Sequence, residues 1–325
     1  MRTTKYLVAV FGMIAGYAGA AGAQQQNYPS RPIKMVMPYP AGGPTDILGR
    51  LLGQKLAEAW GQNVIIDNRP GGAGIIGASI AAKSAADGYT LFLGGISTLA
   101  IAPLLQKQMP YDPIRDFNPV TQTLVTPLIL MVHPSVPVTS VKEFIALAKA
   151  NPGQINYASA GPGTSGHMAG ELFNSVTRAN LVHVPYRGAP PALNDLVSGH
   201  IHVMFGTMLA SVPLVRSGRL RAVAVTGPKR SIALPAVPTF AESGLVNYDA
   251  SSWNGILVPA GTPKGIIDKL NVELVRILHT PGVLDRLSND GPIPIGNTPE
   301  QFAGLIKAEQ VKWARVVREA NIKID

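Results

Sequence analysis

The feature that most constrains this chain is a rhythm. Short β-type runs alternate with helical runs, twice over, and glycine-rich loops sit at several of the passages between them. From Pro32 to Ser97 the order is IKMVMPY, a helical run from Thr45 to Trp60, NVIID, a helical run from Ile75 to Ala85, and YTLFLGG. A second series starts near Thr126 with LILMVH. It continues through a helix from Ser140 to Ala150, INYAS, a helix from Gly166 to Thr177, LVHVPY, a helix from Pro190 to Gly199, IHVMFG and LRAVAVTG. Strands separated by helices need crossover connections, so the pattern predicts two α/β units, each on a mostly parallel sheet.

The tail carries SSWNGILVPAGTP, a helix from Lys264 to His279, a loop, and a helix from Thr298 to Ala320 with Phe302, Leu305, Ile306, Val311, Trp313 and Val317 at near-helical spacing. Two long helices without further strands make no third domain and are expected to pack back on the first sheet. The chain would then cross between domains near Thr126 and near Tyr248, with residues 24–126 plus 249–325 in one domain and 127–248 in the other.

Residues 1–23, MRTTKYLVAVFGMIAGYAGAAGA, stand outside the rhythm. A basic start, an apolar stretch from Tyr6 to Tyr17 and a small-residue end at Ala21-Gly22-Ala23 read as a secretory signal cleaved after Ala23. The apolar stretch is shorter than the roughly 20 residues that a membrane span needs. The chain contains no cysteine, which removes a lipid-anchored leader, disulfides and thiolate metal sites. A soluble periplasmic protein, not anchored to lipid, is expected. Loss of Arg2 and Lys5 with the leader lowers the formal charge from +9 to +7. The remaining positive residues are scattered singly, without aromatics between them, so they read as a solvated surface and not a nucleic-acid site.

Three loops join a strand to a helix through glycines: PYPAGGPTD at 38–46, NRPGGAGIIG at 68–77 and SAGPGTSGH at 159–167. Two match G-x-G-x-x-G, at Gly72, Gly74 and Gly77 and at Gly161, Gly163 and Gly166. A dinucleotide site also needs an acid near the end of the next strand, and LFLGG and VHVPYRG offer none; a P-loop needs a Lys that is absent. No cofactor is expected. What remains is the physics of a helix start, where free N–H groups and a partial positive charge favour a carboxylate without Arg or Lys. In the first loop Gly43 suits the N-cap, Pro44 the first helical position, and Thr45 offers a hydroxyl beside the free amides. Thr164 and Ser165 do the same in the third loop. Asp46, in a first helical turn, is expected to cap amides or bind water; holding a ligand ammonium group is the sharper alternative.

Catalysis and metal binding have little support. Ser165 and His167 are two apart at a helix start and do not face each other, and GTSGH lacks the spacing of a nucleophile elbow. His200 and His202 alternate on a β-type run and point the same way, but no third ligand is evident. His133, His183 and His279 have no identifiable partner in the sequence.

The segments YPSRPIKMVMPYPAGGPTDILGR, VIIDNRPGGAGIIGA, AADGYTLFLGG, NYASAGPGTSGHMAGELF, VHVPYRGAPPALNDLVSGHIHVMF, GRLRAVAVTGPKRS, LPAVPTFAESG and WNGILVPAGTP resemble, in order and over nearly the whole mature chain, the Bug-type receptors. These are the periplasmic substrate-binding proteins of tripartite tricarboxylate transporters. The resemblance implies a two-domain, type II periplasmic-binding-protein (Venus flytrap) fold that closes on a small organic carboxylate and hands it to membrane transporter subunits, with no chemistry and as a monomer. It implies that loops Tyr39–Thr45 and Ser159–Ser165 receive the ligand from opposite sides, partly through water. Ser97 and Thr98 would fall on a cleft-facing strand end. The expected contacts are Tyr39, Ala41, Gly42, Gly43, Thr45, Asp46, Ser97, Thr98, Ser159, Gly163, Thr164, Ser165 and Gly206, the amides of Ala41, Gly42, Gly43 and Gly163 foremost. The chain departs from the family at Ile75, where Asn is frequent, and at His202 and Gly206, where an acid is frequent; these changes bear on specificity. A sensor-coupled receptor and an exported serine hydrolase are the rival readings.

Overall fold

In a computed structural model, residues 28–319 and 322, except 228, 247 and 290, are described; the proposed leader lies outside them. The first sheet has six strands in the order β11-β4-β10-β3-β1-β2. They are β1 (Ile33–Met37), β2 (Val64–Asn68), β3 (Thr90–Gly95), β4 (Phe117–Thr126), β10 (Ser252–Pro259) and β11 (Ile293–Pro294). The second sheet has five, in the order β7-β6-β8-β5-β9: β5 (Leu128–Val132), β6 (Asn156–Ser159), β7 (Val182–Pro185), β8 (Val203–Thr207) and β9 (Arg221–Val225).

Both sheets are mixed, which corrects the expectation of mostly parallel ones. β1 pairs in parallel with β2 and β3, and β6 with β7 and β8. β10 and β5, which flank the two crossings, run against their neighbours: β10 pairs antiparallel with β3 and β4, and β5 with β8 and β9. The cause is the route of the chain. β4 runs through Pro127 straight into β5, so the passage from one sheet to the other is a continuous extended segment without a helix to reverse it. The return lies beside it: β10 opens at Ser252, whose register partner is Thr126, the last residue of β4.

The tail also differs from its sequence reading. WNGILVP forms β10, in the middle of the first sheet, with Ile256, Leu257 and Val258 fully buried. Between the two expected helices the chain adds a further helix and β11. Helix α1 (Pro44–Trp60) buries Leu48, Leu51, Leu52 and Leu56 and stops at Gly61, in the left-handed region with φ 65. It is followed by α2 (Ile75–Ala82) and by α3, a wide turn over Ser97–Ile101 that continues as Ala102–Leu105. On the second sheet lie α4 (Val141–Ala150), α5 (Ser165–Thr177), α6 (Ala189–Val197) and α7 (Met208–Arg216). The last of these was not foreseen. The tail supplies α8 (Lys264–Leu278), α9 (Pro281–Asn289) and α10 (Pro299–Glu319).

α8 and α10 pack on β4, and one glycine shows how closely. A Cβ at Gly255 in β10 would lie 2.2 Å from Phe302 Cζ, so the ring of α10 seats directly on the strand backbone. Burial of such a ring stabilises by about 1.5–3 kcal/mol. Among the described residues no helix is long and apolar enough to cross a membrane.

Candidate functional site

Where the two sheets face each other, a cavity of about 860 Å³, counting its open mouth, is lined from both sides. Helix starts surround it. Gly43, Pro44 and Thr45 bring α1 to the wall, Ile96 and Ser97 bring α3, Thr164 and Ser165 bring α5, Ala189 and Pro190 bring α6, and Gly206 and Thr207 bring α7. None of these five starts has a side-chain cap. Pro44, Pro190 and Pro191 carry no N–H; the remaining first-turn N–H groups, those of α1, α5 and α7 above all, and the helix dipoles are left for whatever enters. Among the described residues no Asp, Glu, Lys, Arg or His lines the cavity; the polar groups are hydroxyls, amides and Asn254, and Leu48, Leu124, Phe205, Leu209 and Trp253 supply an apolar wall.

On the first-sheet side, Asp46 organises the loop without joining the cavity. Its carboxylate accepts from Gly42 N–H at 2.9 Å and Arg50 Nε at 2.8 Å through one oxygen, and from Asn68 Nδ2 at 3.0 Å through the other. Burial alone would raise its pKa, but the bonds from Arg50, Gly42 and Asn68 outweigh it and hold the carboxyl below its ordinary value. Gly42 supplies the turn, with φ +78. Tyr39 lines the cavity and donates its hydroxyl to Ala73 O at 3.2 Å, so the second glycine loop supports the first without lining the cavity.

On the opposite side, Thr164 Oγ1 donates to Gly161 O at 2.7 Å, and Gly163 N–H donates to His167 Nδ1 at 3.0 Å. The two sides touch at the mouth: a Cβ at Gly188 would lie 2.8 Å from Pro40 Cγ.

The sequence profile of the tripartite tricarboxylate transporter family receptors matches residues 48–322. Protein BugT of Bordetella pertussis is 39% identical over 98% of each chain. This chain belongs to that receptor family. Two solved relatives carry the same fold. An R. palustris protein with adipate is 38% identical, with a TM-score of 0.89 over 91% of this chain and 99% of its own. MatC from Rhodopseudomonas palustris with bound malate is 32% identical, with a TM-score of 0.85 over 89% of this chain and 100% of its own.

In this receptor, Tyr39, Gly43, Thr45, Ser97, Thr164, Ser165 and Gly206 of the sequence-derived set come together on the cavity wall. Ala41, Gly42, Asp46, Thr98, Ser159 and Gly163 do not line it. The amides of Gly42 and Gly163 are already bonded to Asp46 and His167. Ser97 and Thr98 begin a helical turn instead of ending a strand; Thr98 Oγ1 bonds Gly95 N–H at 3.2 Å and Gly95 O at 3.1 Å, which leaves it a structural task. At Gly206 a Cβ would fall 2.5 Å from Met131 Cε and 2.7 Å from Ser211 Oγ, so the space an acid would use is filled.

The histidines need correction. His183 Nε2 lies 2.6 Å from Ser159 Oγ, and its ring stacks on His167 at 4.1 Å. His133 Nδ1 bonds Ser135 Oγ at 2.7 Å and His279 Nδ1 bonds Val275 O at 2.8 Å. β8 begins at Val203, so His200 and His202 share no strand face. Ser159 beside His183 has the chemistry of a nucleophile and base, but it is fully buried and its Oγ also bonds both N–H and C=O of Gly161, so it is a brace. Sequence reasoning missed Leu124, Thr126, Phe205, Ser252, Trp253 and Asn254. They meet only through the pairing of β10 with β3 and β4 and through the opposing sheet, which no local pattern announces.

Proposed function

We propose that this receptor binds a small organic carboxylate between its two domains, residues 24–126 with 249–325 and residues 127–248, and delivers it as a monomer to membrane subunits of a tripartite transporter. It works in the periplasm after loss of residues 1–23 and carries no lipid anchor. The observation that carries this reading is the convergence of uncapped helix starts on one cavity with no charged side chain in its wall. Such a wall receives an anion through N–H groups and hydroxyls, each good hydrogen bond to a charged group contributing roughly 1.5–3 kcal/mol. The hydroxyls of Thr45, Ser97 and Ser165, with the free amides of the α1 and α5 starts, are the proposed contacts; Thr164, whose hydroxyl donates to Gly161 O, shapes the wall beside them. The solved relatives with adipate and malate support the ligand class.

A ligand that touches both walls is held only when the domains are together, so it stabilises closure by its differential affinity. The adjacent crossings at Pro127 and at residues 249–251, just before Ser252, are the proposed hinge. The test is native mass spectrometry of the purified receptor for a carried-over ligand, then thermal shift against a panel of carboxylates and their neutral amides. A ligand at 100 times its Kd adds about 2.7 kcal/mol of stability. Shifts with acids and not with amides are expected; no shift with any organic acid overturns the reading.

A further inference from the structure

Beneath the loop that carries Thr164 and Ser165 lies a stacked pair, His167 buried and His183 half-buried, that ligand contact does not explain. His167 comes from the first turn of α5 and His183 from β7, and their rings stack at 4.1 Å with an angle of 27°. The β6–β7 register sets Tyr157 opposite His183, and that ring stacks on His183 at 5.1 Å. Both histidines hold the loop from below. His167 Nδ1 accepts Gly163 N–H at 3.0 Å, while His183 bonds Ser159 Oγ, which bonds the N–H and C=O of Gly161 at 3.1 Å each.

We propose that His167 and His183, as a neutral stacked pair, are positioning residues for the ligand-receiving loop, and that protonating them frees the loop and weakens ligand binding. The proposal rests on the reading that the loop carrying Thr164 and Ser165 receives the ligand. The geometry supplies the reason. A protonated Nδ1 has no lone pair for Gly163, so that amide loses its acceptor and two donors face each other. Two charged rings in stacking contact would also repel. The groups facing the pair offer little compensation. Glu171 Oε1 stands 4.0 Å from His167 Nε2 and already takes the Tyr157 hydroxyl at 2.6 Å; Ser159 is neutral, and the Tyr248 hydroxyl is turned to Ala169 O. Burial accordingly pushes His167 down to about 4, and burial together with the neighbouring His167 pushes His183 down to about 3.

The experiment uses the full mature chain as wild type, His167→Asn and His167→Leu. Asn presents Oδ1 where Nδ1 stood, so it accepts from Gly163 but does not titrate. Without ligand, amide hydrogen exchange at Gly163 is followed from pH 7 to pH 4. Wild type is expected to lose about tenfold in protection beyond the intrinsic pH effect, and the Asn variant to lose none. Equal behaviour of the two overturns the proposal. Adipate and malate serve as binding probes. At pH 7 the Asn variant should bind like wild type, and the Leu variant about tenfold more weakly. Between pH 7 and pH 4, where about half of His167 becomes protonated, wild type should lose about twofold more affinity than the Asn variant; the carboxylate's own titration is common to both and cancels. If the Leu variant does not fold, the Asn comparison still decides. If Gly163 responds as stated while the Leu variant binds either probe as tightly as wild type, the histidines hold a loop that receives no ligand. That result overturns the ligand half and the site reading together. If neither probe binds wild type, the Gly163 result alone supports or overturns the positioning role.

Discussion

Helix starts on the outer surface and helix starts at the cavity are built differently. α4 begins with a reciprocal cap, in which Ser140 Oγ accepts Glu143 N–H at 3.2 Å and the Glu143 carboxylate accepts Thr139 N–H at 2.6 Å. α10 begins the same way, with Thr298 and Gln301 bonding each other at 3.2 and 3.0 Å. The starts of α1, α5, α6 and α7 have Gly43, Thr164, Gly188 and Thr207 at the N-cap and no cap bond. Thr164 could cap α5, yet its hydroxyl goes to Gly161 O. A missing cap is not the signal by itself, since α8 begins uncapped at exposed Pro263, where water serves the amides. The lesson is in convergence. A capped start gains about 1 kcal/mol; several starts at one cavity forgo that gain and keep their donors for a ligand.

The largest effect should come from making a cavity start resemble an outer one. Gly43 has φ −79, which any residue adopts, and the nearest atoms to an added Cβ are Pro40 O at 3.3 Å and Pro190 Cδ at 3.9 Å. Gly43→Asp would place a carboxylate on the amides proposed for the ligand. Loss of two charge-assisted bonds at roughly 1.5–3 kcal/mol each predicts an affinity loss of about 100-fold or more, with stability unchanged or a few tenths of a kcal/mol higher. Calorimetric titration alongside urea unfolding checks both halves; undiminished affinity would remove α1 from the site.

The reach of sequence reasoning follows the same division between local and assembled features. The two glycine loops were legible because a strand-to-helix passage with Gly43, Pro44 and Thr45, or with Gly163, Thr164 and Ser165, carries its chemistry in consecutive residues. β4 was not, with Pro119 inside it and polar Thr121, Gln122 and Thr123 buried in its middle. α7 was hidden by its shortness and by Pro213 inside it. The resemblance places Ser97 and Thr98 at a strand end; they lie just past β3, where a wide turn opens after Ile96 with no cap signal to announce it. Asp46 was legible as a cap but not as the partner of Asn68, which β2 delivers from 22 positions away. The histidine pair depends on the β6–β7 register, so no spacing in the sequence reveals it.

The pair also sharpens the comparison through pH. Unfolded histidine titrates near 6.5, and His167 in the fold is pushed to about 4. Between those values the unfolded chain binds more protons than the folded one, so stability is fully present above about 6.5 and falls as pH drops toward 4. The slope is up to about 1.4 kcal/mol per pH unit for His167 alone. His167→Asn should flatten it in urea unfolding series across this window. Asp46 acts in the same sense at lower pH: its depressed carboxyl contributes stability above its unfolded value, and that stability is lost as pH falls through the folded value. A wild-type profile as flat as that of the Asn variant would mean that His167 is not held neutral.

The smallest effect belongs to the outer starts and serves as the control. Ser140→Ala removes one cap bond from α4, whose Val141, Phe144 and Ala148 face the second-sheet core. A loss of about 1 kcal/mol in unfolding free energy is expected, with ligand affinity unchanged, because no residue of α4 lines the cavity. Thr298→Ala should behave alike at α10, with less lost if Gln301 keeps the Thr298 amide. Opposite responses of the two classes, stability without affinity at Ser140 and affinity without stability at Gly43, are what a cavity built from reserved helix starts requires. A fall in affinity at Ser140 equal to that at Gly43 would mean that the substitutions act through global stability, and the distinction between the two kinds of helix start would be lost.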